Sequence, residues 1–501
     1  MKKRKTFLTI LSLLMFSLLL SQGLFAETRG VENGQRYNRL VIRNVIVIDG
    51  KGTPPRGPED IIIEGNRIQS IQAASRTEKS SEKEEHVLDG SGMYLLPGLI
   101  NIHAHLHDSR AGIPLPFEYS YKLWLACGIT TCRDVGSNYE KTVEERRKSQ
   151  EGLIAAPRIF LYMFAGGRTP EEARQRVQEA KKRGADGIKT FSMDRDIMKA
   201  LLDEAHKLGL RVAHHAAVEE TDAWDDAEFA VTSIEHWYGV PDAALHGSQN
   251  FPPDYNFNNE SDRFRYAGRL WREADPEKLK KVLDRLVEKQ VAWCPTLVIY
   301  EANRDLMRAM NQPWFKDYLH PALEEYFKPN PGHHGSYFWN WTTTDEIFWR
   351  ENYKLWMAAV RDFADRGGIV GVGEDAGFIY MLYGFSVIRE LELHQEAGFH
   401  PIDVIQNATL NNAKILGLED RLGRARAGYL ADLILVDENP LENFKYLYPT
   451  GWMGFDKEGK LIQKGGVKWT IKDGLVYHAP TMLADVRKIV EEARTELQRK
   501  K

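Results

Sequence analysis

The chain has 501 residues, enough for about three domains of ordinary size or for one large barrel with a satellite. Hydrophobic residues make up 43% and charged residues 28%, which excludes disorder, collagen and coiled coil as the dominant state. The net charge of -4 indicates no nucleic-acid partner, and three cysteines are too few for a disulfide framework.

The N-terminus has the pattern of an export signal. Residues 2–5 are basic, an apolar run extends from Phe7 to Leu20, and small or polar residues follow up to Ala26. This order predicts a signal peptide over residues 1–26 and therefore a secreted or periplasmic protein. An uncleaved membrane anchor is the alternative, although the apolar run is shorter than the roughly 20 residues that span a bilayer. We expect no membrane span after cleavage, because no later stretch is long and apolar enough.

Strand-like segments follow the signal peptide and return near the end of the chain. β-Branched runs bounded by turn residues indicate sheet over residues 38–97 and again over residues 418–480. Residues 77–85 are charged and are expected to form an exposed loop. The last segment, residues 481–501, is basic and predicts a helix on the surface.

Between these two β parts, apolar strands alternate with amphipathic helices over residues 98–417. We count eight such steps, the last with a strand from Ile369 to Gly373 and a helix from Phe385 to Ala397. Alternation of this kind indicates a parallel sheet, and eight repeats predict an α/β fold of the closed (β/α)8 TIM barrel type. An open doubly wound sheet is the alternative, disfavoured because no glycine-rich phosphate-binding loop follows a strand.

Two stretches, residues 238–275 and 300–367, are too long to be simple connections. The second is rich in aromatic residues, among them Trp314, Trp349 and Trp356. We interpret it as a packed helical subdomain, with a lid or a subunit interface as the alternative. A homo-oligomer is the expected assembly.

Residue types that bind metals or transfer protons stand at the predicted ends of the barrel strands, where the active sites of parallel barrels lie. They are His103, His105, Lys189, His214, His215, His236 and Asp375. His103 and His105 are two positions apart on one strand, so both can face the lumen and share a metal ion. Imidazole with carboxylate suits zinc best. The neighbours His214 and His215 face opposite ways, and the residues alone do not decide between them.

These residues lie in segments through which the chain resembles the amidohydrolase superfamily of metal-dependent hydrolases. Within that superfamily it is similar to the imidazolonepropionase-like and the Xaa-Pro and Xaa-Arg dipeptidase-like enzymes. The resemblance covers nearly everything after the signal peptide and is carried by these segments: Leu96–His105, Gly128–Gly136, Asp186–Lys189, Val212–Ala216, Ser233–His236, Gly373–Gly377 and Asn407–Ile434. It implies that the two β parts join into one small β-sandwich beside the barrel.

The resemblance also implies a site for two divalent ions, zinc in the first place. Its ligands would be His103, His105 and Asp375 on one ion, His215 and His236 on the second, and Lys189 between them as an N-carboxylated lysine. The chemistry agrees with this role, since a buried ammonium beside two cations is unfavourable, whereas a carboxylated lysine is an anion with two oxygens. The alternative is an unmodified Lys189 paired with Glu374 or Asp375 in a one-metal site.

The implied activity is hydrolysis of a C–N bond, amide or peptide-like, in a small substrate such as a dipeptide or an N-acyl amino acid. A metal-bound water would attack the carbonyl, and Asp375 would carry the proton to the leaving amine. His236 would help to orient the carbonyl. A lactone or ester hydrolase that uses the same metals is one alternative, and an inactive metal-binding scaffold whose aromatic insertion binds a partner is another.

Two further residues are candidates for substrate contact. His107 continues the spacing of His103 and His105, and it is expected to support the ligands or to touch the substrate. Glu374 stands where the superfamily usually has threonine, so it would contact a basic substrate group or form a structural ion pair.

Overall fold

The computed structural model describes residues 30–74, 86–191, 193–216, 221–247, 251, 253, 255–256, 259–330 and 337–500. The predicted signal peptide and the charged loop lie outside the described residues. Across the described helices, no segment joins the length and the apolar character that crossing a bilayer requires.

The strands of the two ends pair in a single mixed sheet. Its nine strands are β1 (Gln35–Arg36), β2 (Arg39–Val47), β3 (Arg56–Glu64), β4 (Arg67–Ala73), β5 (His86–Asp89), β6 (Tyr94–Pro97), β16 (Leu433–Val436), β19 (Val467–Lys472) and β20 (Leu475–His478). The order is β1, β20, β19, β16, β6, β2, β3, β4, and β5 pairs with β2 off this path. The predicted joining of the two β parts is confirmed by the pairing of β6 with β16 and of β1 with β20.

The expected sandwich is a single hydrogen-bonded sheet, because β2 pairs with different strands along its two halves. The first half of β2 pairs in parallel with β5, and Ile46 and Val47 in its second half pair with β6. One side of the sheet carries the apolar residues that build a core of its own, including Leu40, Ile42, Ile61, Ile63, Leu95, Leu433, Leu435 and Ile471. Their alternation along each strand is the period of two expected for a half-buried sheet.

Seven parallel strands form the barrel, and each pairs with its neighbours in sequence order. They are β7 (Leu99–Ala104), β10 (Ile129–Asp134), β11 (Arg158–Phe164), β12 (Gly187–Phe191), β13 (Arg211–His215), β14 (Ser233–Glu235) and β15 (Ala292–Cys294). The predicted TIM-type barrel is therefore confirmed, with seven regular strands instead of eight.

The prediction of a regular eighth strand is wrong. The segment from Ile369 to Asp375 still lies between the last and the first strand and bonds to both. Trp293 N–H donates to the carbonyl oxygen of Ile369 at 2.9 Å, and Ile102 N–H donates to that of Val372 at 3.1 Å. Glycines weaken a strand interior and mark a close approach of the backbone. A side chain at Gly373 would meet His103, because an added Cβ would lie 2.5 Å from the Cβ of His103.

Helices surround the barrel, as the alternation of strands and helices predicts. Those that follow strands are α1 (Phe117–Ala126), α2 (Tyr139–Gln150), α3 (Pro170–Lys182), α4 (Arg195–Lys207), α5 (Ala223–Glu228), α8 (Pro276–Glu288) and α14 (Phe385–Glu396). Several begin at a side chain that accepts a backbone N–H, as N-cap residues do: Asn138, Thr169, Asp222 and Asp275.

The described parts of the two long insertions are mainly helical. They contain α6 (Glu260–Ala267), α7 (Leu270–Glu273), α9 (Glu301–Arg304), α10 (Leu306–Met310), α11 (Phe315–Tyr318), α12 (Pro321–Tyr326) and α13 (Thr343–Asp365). Trp349, Tyr353 and Trp356 of α13 are fully buried, which favours the interpretation as a packed subdomain.

The remaining elements are short ribbons and C-terminal helices. The ribbons are β8 (Ser109–Arg110) with β9 (Ile113–Pro114) and β17 (Trp452–Phe455) with β18 (Leu461–Lys464); the helices are α15 (Pro401–Gln406), α16 (Asn412–Leu416) and α17 (Ala479–Lys500). The predicted C-terminal helix is amphipathic, because Met482, Val486 and Val490 are buried in the main core.

Candidate metal centre

Three imidazoles converge on one carboxylate at the C-terminal end of the barrel. The Nε2 atoms of His103 and His105 lie 3.8 and 3.0 Å from Oδ1 of Asp375, and Nε2 of His236 lies 3.8 Å from its Oδ2. Donor atoms of His103, His236 and Asp375 all lie within 4.8 Å of one another. Such a set of buried nitrogen and oxygen donors fits a divalent ion such as zinc.

The backbone is unusual at two of these residues. His236 has a φ of 67° and Asp375 a φ of 55°, in the left-handed region that residues other than glycine rarely adopt. His236 follows β14, and Asp375 follows the irregular eighth segment. Backbone strain of this kind is found at functional sites, where the surrounding structure enforces it.

A second layer of side chains sets the histidine tautomers. Nδ1 of His103 lies 2.6 Å from Oε2 of Glu235, and Nδ1 of His236 lies 2.6 Å from Oγ1 of Thr296. A carboxylate accepts hydrogen bonds, so Nδ1 of His103 carries the hydrogen and Nε2 keeps the lone pair that a metal needs. Burial lowers the pKa of His103 to about 4, which keeps the ring neutral at physiological pH.

Below His103 the charges are paired in what we call the floor network, formed by His103, Arg133, Ser233 and Glu235. Nη2 of Arg133 donates to Oε1 of Glu235 at 2.5 Å, and its Nη1 donates to Oγ of Ser233 at 3.0 Å. Burial opposes ionisation of Glu235, but Arg133 and His103 outweigh it and hold the pKa of Glu235 well below its usual value. The floor network is thus a closed, oppositely charged support for one metal ligand.

Lys189 on β12, unlike Arg133, has no oppositely charged partner among the described residues. Its Nζ is buried and has no hydrogen-bond partner, and no ion pair joins it to Glu374 or Asp375, within the described part of the chain. Burial lowers the pKa of Lys189 to about 8. A buried amine without a partner is unfavourable as an ammonium and fits a group that becomes an anion by carboxylation.

The two adjacent histidines of β13 have different surroundings. The His215 ring lies 4.4 Å from the His236 ring, between the centroids, and 5.1 Å from the Phe191 ring. His214 is instead bonded through Nδ1 to Oδ1 of Asp226 at 2.6 Å. The structure therefore brings His215, and not His214, to the other candidate ligands.

The two candidate substrate contacts lie in different places. Glu374 is fully buried and accepts hydrogen bonds from Trp124, Asn101 and the backbone N–H of Gly384 at 2.5, 3.0 and 2.8 Å. Burial raises the pKa of Glu374 to about 8. These neutral donors occupy its oxygens, which favours a structural role over contact with a basic substrate group. His107 is partly exposed, and its ring stacks at 5.7 Å on the ring of His105.

Sequence reasoning missed the residues that support the ligands, Glu235 and Thr296. A signal for Glu235 was present. Ser233 and Glu235 are two positions apart on a buried strand, and a carboxylate there requires a partner. No sequence pattern pointed to Thr296, which follows the neighbouring strand β15 and contacts His236.

Comparison with known families agrees with this geometry. The sequence model of the amidohydrolase family matches residues 94–248 and 354–454, slightly more than half of the chain. The chain therefore belongs to the amidohydrolase family, as the resemblance predicted. Membership in this family of hydrolases also confirms the predicted enzyme class.

Curated relatives match over short segments. A dihydroorotase from Thermus aquaticus is 36% identical over 69 residues, 14% of either chain. An allantoinase from Arabidopsis thaliana is 26% identical over 188 residues, which are 36% of this chain and 37% of the relative. The chain thus spans well under half the length of the curated relatives it matches.

Solved structures are similar over nearly the whole chain. A Xaa-Pro dipeptidase with bound methionine superposes with a TM-score of 0.60 at 22% identity and covers 88% of this chain and 100% of its own. A prolidase complexed with N-methylphosphonate-L-proline gives 0.60 at 18% identity over 88% and 100%. The ochratoxinase of A. niger gives 0.61 at 15% identity over 89% and 97%. At these identities the likeness establishes the fold.

Proposed function

We propose that the protein is a secreted metal-dependent amidohydrolase that cleaves an amide or peptide-like C–N bond of a small substrate, such as a dipeptide or an N-acyl amino acid. The observation that carries the proposal is the convergence of three Nε2 atoms on Asp375 beside the Nζ of Lys189, which has no hydrogen-bond partner among the described residues. The Xaa-Pro dipeptidase and prolidase among the similar structures support the choice of a dipeptide-like substrate.

The donor set fits two divalent ions, and we propose zinc. His103, His105 and Asp375 would hold one ion and His215 and His236 the other, with Lys189 between them in its carboxylated form. When bound, the metal supplies an electrophile for the carbonyl oxygen and lowers the pKa of a water molecule.

Asp375 provides the proton transfer. Its carboxylate lies among the three imidazoles, where one oxygen can accept the proton of the attacking water and deliver it to the leaving nitrogen. His236 would help to place the carbonyl by holding its ion in position, and its ring cannot turn freely because its Nδ1 is bonded to Oγ1 of Thr296. The roles are thus divided between a carboxylate that moves a proton and an imidazole held in place.

The test is the variant Asp375→Asn, assayed on a panel of dipeptides, N-acyl amino acids, lactones and esters. We expect hydrolysis to fall by roughly 10²-fold or more, the range of proton-transfer groups, while the fold is retained. Asp420→Asn, which removes a carboxylate whose side chain is 77% exposed, is the matched control. Metal content is measured on both, because a loss that persists at full metal occupancy separates proton transfer from metal binding. Wild-type turnover of an amide by fully metallated Asp375→Asn would refute the role.

The targeting and assembly parts of the proposal rest on other residues. We propose that the signal peptide is removed after Ala26, so that the mature chain begins at Glu27. N-terminal sequencing of protein from its native host tests this, and an intact Met1 in a cytosolic protein would overturn it. The homo-oligomer stays a prediction that sedimentation of the purified enzyme can decide.

A further inference from the structure

Arg110 is a cation beside the candidate site, and its bonding and stacking partners among the described residues are neutral. We call Arg110 and these partners, His107, Tyr326, Gly377 and Phe378, the mouth of the site. Arg110 lies at the end of β8, and its guanidinium stacks on the rings of Phe378 and Tyr326 at 4.4 and 4.7 Å. Its Nε donates to the carbonyl oxygen of Gly377 at 3.1 Å, and its Nη2 donates to Nε2 of His107. Throughout the described residues no carboxylate lies within ion-pair distance of Arg110, which is partly exposed.

Three arginines of similar or greater burial face a carboxylate at 2.5 or 2.6 Å: Arg133 with Glu235, Arg158 with Asp432, and Arg389 with Glu301. Removing a charge from water without a counter-charge is unfavourable. Burial accordingly lowers the pKa of Arg110. The mouth is therefore electrostatically incomplete, and an anion from outside the chain would complete it.

The contact with His107 fixes the direction of a hydrogen-bond chain. A guanidinium only donates, so Nε2 of His107 must accept, and the hydrogen of the neutral ring must be on Nδ1. Nδ1 lies 2.6 Å from the hydroxyl oxygen of Tyr383 and donates to it. His107 is thereby a positioning residue, which holds Arg110 in one orientation from a buried tyrosine.

The loop of residues 377–380, whose Phe378 stacks on Arg110, has a strained backbone that holds Arg110 and His107 in place. Ile379 and Tyr380 have φ values of 40° and 61°, and Gly377 has 92°. A side chain at Gly377 would collide with His107 and Tyr383, because an added Cβ would lie 2.6 Å from both. A β-branched residue at positive φ is a genuine outlier that persists only when its surroundings enforce it. The strained loop places Phe378 between Arg110 and the His105 ring, 5.5 Å away.

We infer that Arg110 binds the carboxylate of the substrate on the leaving-amine side of the scissile bond. This inference rests on the proposed function and narrows its substrates to compounds that release an amino acid with a free carboxylate. Phe378 and His107 each contact both Arg110 and the candidate ligand His105, so an anion at Arg110 lies beside the metal centre. A guanidinium fork also matches a carboxylate in geometry.

The test compares acids with their amides on the metal-loaded enzyme. The probes are the N-acetyl derivatives of leucine, phenylalanine, proline and lysine, each as the free acid and as the amide. We expect the wild type to prefer the acids, and Arg110→Gln to lower kcat/KM for the acids by about 10- to 100-fold while changing the amides less than about threefold, the effect of losing a charge-assisted hydrogen bond. The kcat/KM of Arg110→Lys for the acids should lie between the values of the wild type and of Arg110→Gln. Arg174→Gln, which removes an exposed charge on α3, is the matched control.

Binding measured by thermal shift separates this inference from the proposed function. If the acids raise Tm of the wild type but not of Arg110→Gln, and nothing is hydrolysed, the anion site stands and the proposed activity fails. If acids and amides behave alike in the wild type, or if Arg110→Gln affects both equally, the inference is overturned. It is also overturned if the acids are neither hydrolysed nor able to raise Tm.

Discussion

The two sides of the candidate site are built on opposite principles. In the floor network Arg133 and Glu235 are fully buried, oppositely charged and bonded to each other at 2.5 Å. At the mouth Arg110 is partly exposed and meets aromatic rings, a histidine and a backbone carbonyl. A closed network holds metal ligands still before anything binds, whereas an incomplete one leaves an interaction for the substrate to make. Changes in the floor network should therefore affect all substrates alike, and changes at the mouth should affect some substrates more than others.

Lys189 is the residue that can break this comparison, because it is buried like the floor network yet, like Arg110, has no carboxylate within ion-pair distance among the described residues. We expect Lys189→Ala to lose metal and to abolish activity on every substrate, since the carboxylated lysine that we propose between two ions would be absent. Bicarbonate present during metal reconstitution should raise the activity of the wild type and leave the variant inactive. The measurements are metal analysis and turnover, and Lys148→Ala on α2 provides the control. A structure with one metal and an unmodified Lys189 would rule out the two-metal site.

Glu235→Gln should produce the next largest effect. Glutamine can still accept from His103 but leaves Arg133 as a buried charge without a counter-charge. We expect the free energy of unfolding to fall by about 3–5 kcal/mol, and metal affinity to fall by about 10- to 100-fold. Denaturant unfolding and metal titration measure both. Glu64→Gln, which breaks an exposed pair with Arg39 at 3.0 Å, should cost less than about 1 kcal/mol. Equal effects of the two variants would contradict a special role for the floor network.

Thr296→Val tests the support of a single ligand. Valine has the shape of threonine and its branching at Cβ, so the left-handed backbone at this position is equally strained, but Nδ1 of His236 loses its partner. We expect metal affinity to fall by about tenfold, with the same relative loss of turnover for every substrate. Thr296→Ser keeps the hydroxyl and should behave like the wild type. A substrate-dependent loss would place Thr296 among the mouth residues instead.

Tyr383→Phe should have the smallest effect, and it tests the support of Arg110 at the mouth instead of the floor network. It removes the acceptor of the His107 Nδ1 hydrogen and keeps the ring that packs on Trp124. A lost hydrogen bond of about 1 kcal/mol corresponds to a rise in KM of about fivefold. We expect this rise for substrates with a free carboxylate, with kcat and metal content unchanged. Steady-state kinetics on acid and amide pairs checks the prediction, and a fall in kcat alone would speak against it.

The sequence predicted the barrel because its signal is local and repeated. Strand and helix bounds follow from alternating apolar patterns, so the predicted helix from Phe385 to Ala397 ends within one residue of the observed helix. The eighth strand failed because Gly371 and Gly373 lack the side chains that favour a strand, while the close approach of Gly371 to Ile102 and of Gly373 to His103 leaves no room for a Cβ. The period of two that indicates a strand also could not choose between His214 and His215, since the choice depends on the packing of Asp226 against one of them.

The candidate ligands could be named because parallel strands bring their ends together. Their supporting residues could not, because each support joins distant parts of the chain. Glu235 reaches His103 across 132 positions, and Thr296 reaches His236 across 60. Arg110 stands on a two-residue strand whose pattern carries no signal, and its importance appears only when its partners are seen to be neutral.

The sheet that unites both ends of the chain also sets the order in which the molecule can be completed. Arg36 pairs with Asp473 across 437 positions, and β6 has no partner on one side until β16 has been synthesised. Closing loops of this length is slow, since contacts distant in sequence form late. Arg158 of the barrel obtains its counter-charge, Asp432, from the same late segment. A ribosome must therefore release almost the entire polypeptide before the early strands can settle, and a chain cut short before β16 would keep an open sheet edge and an unpaired charge.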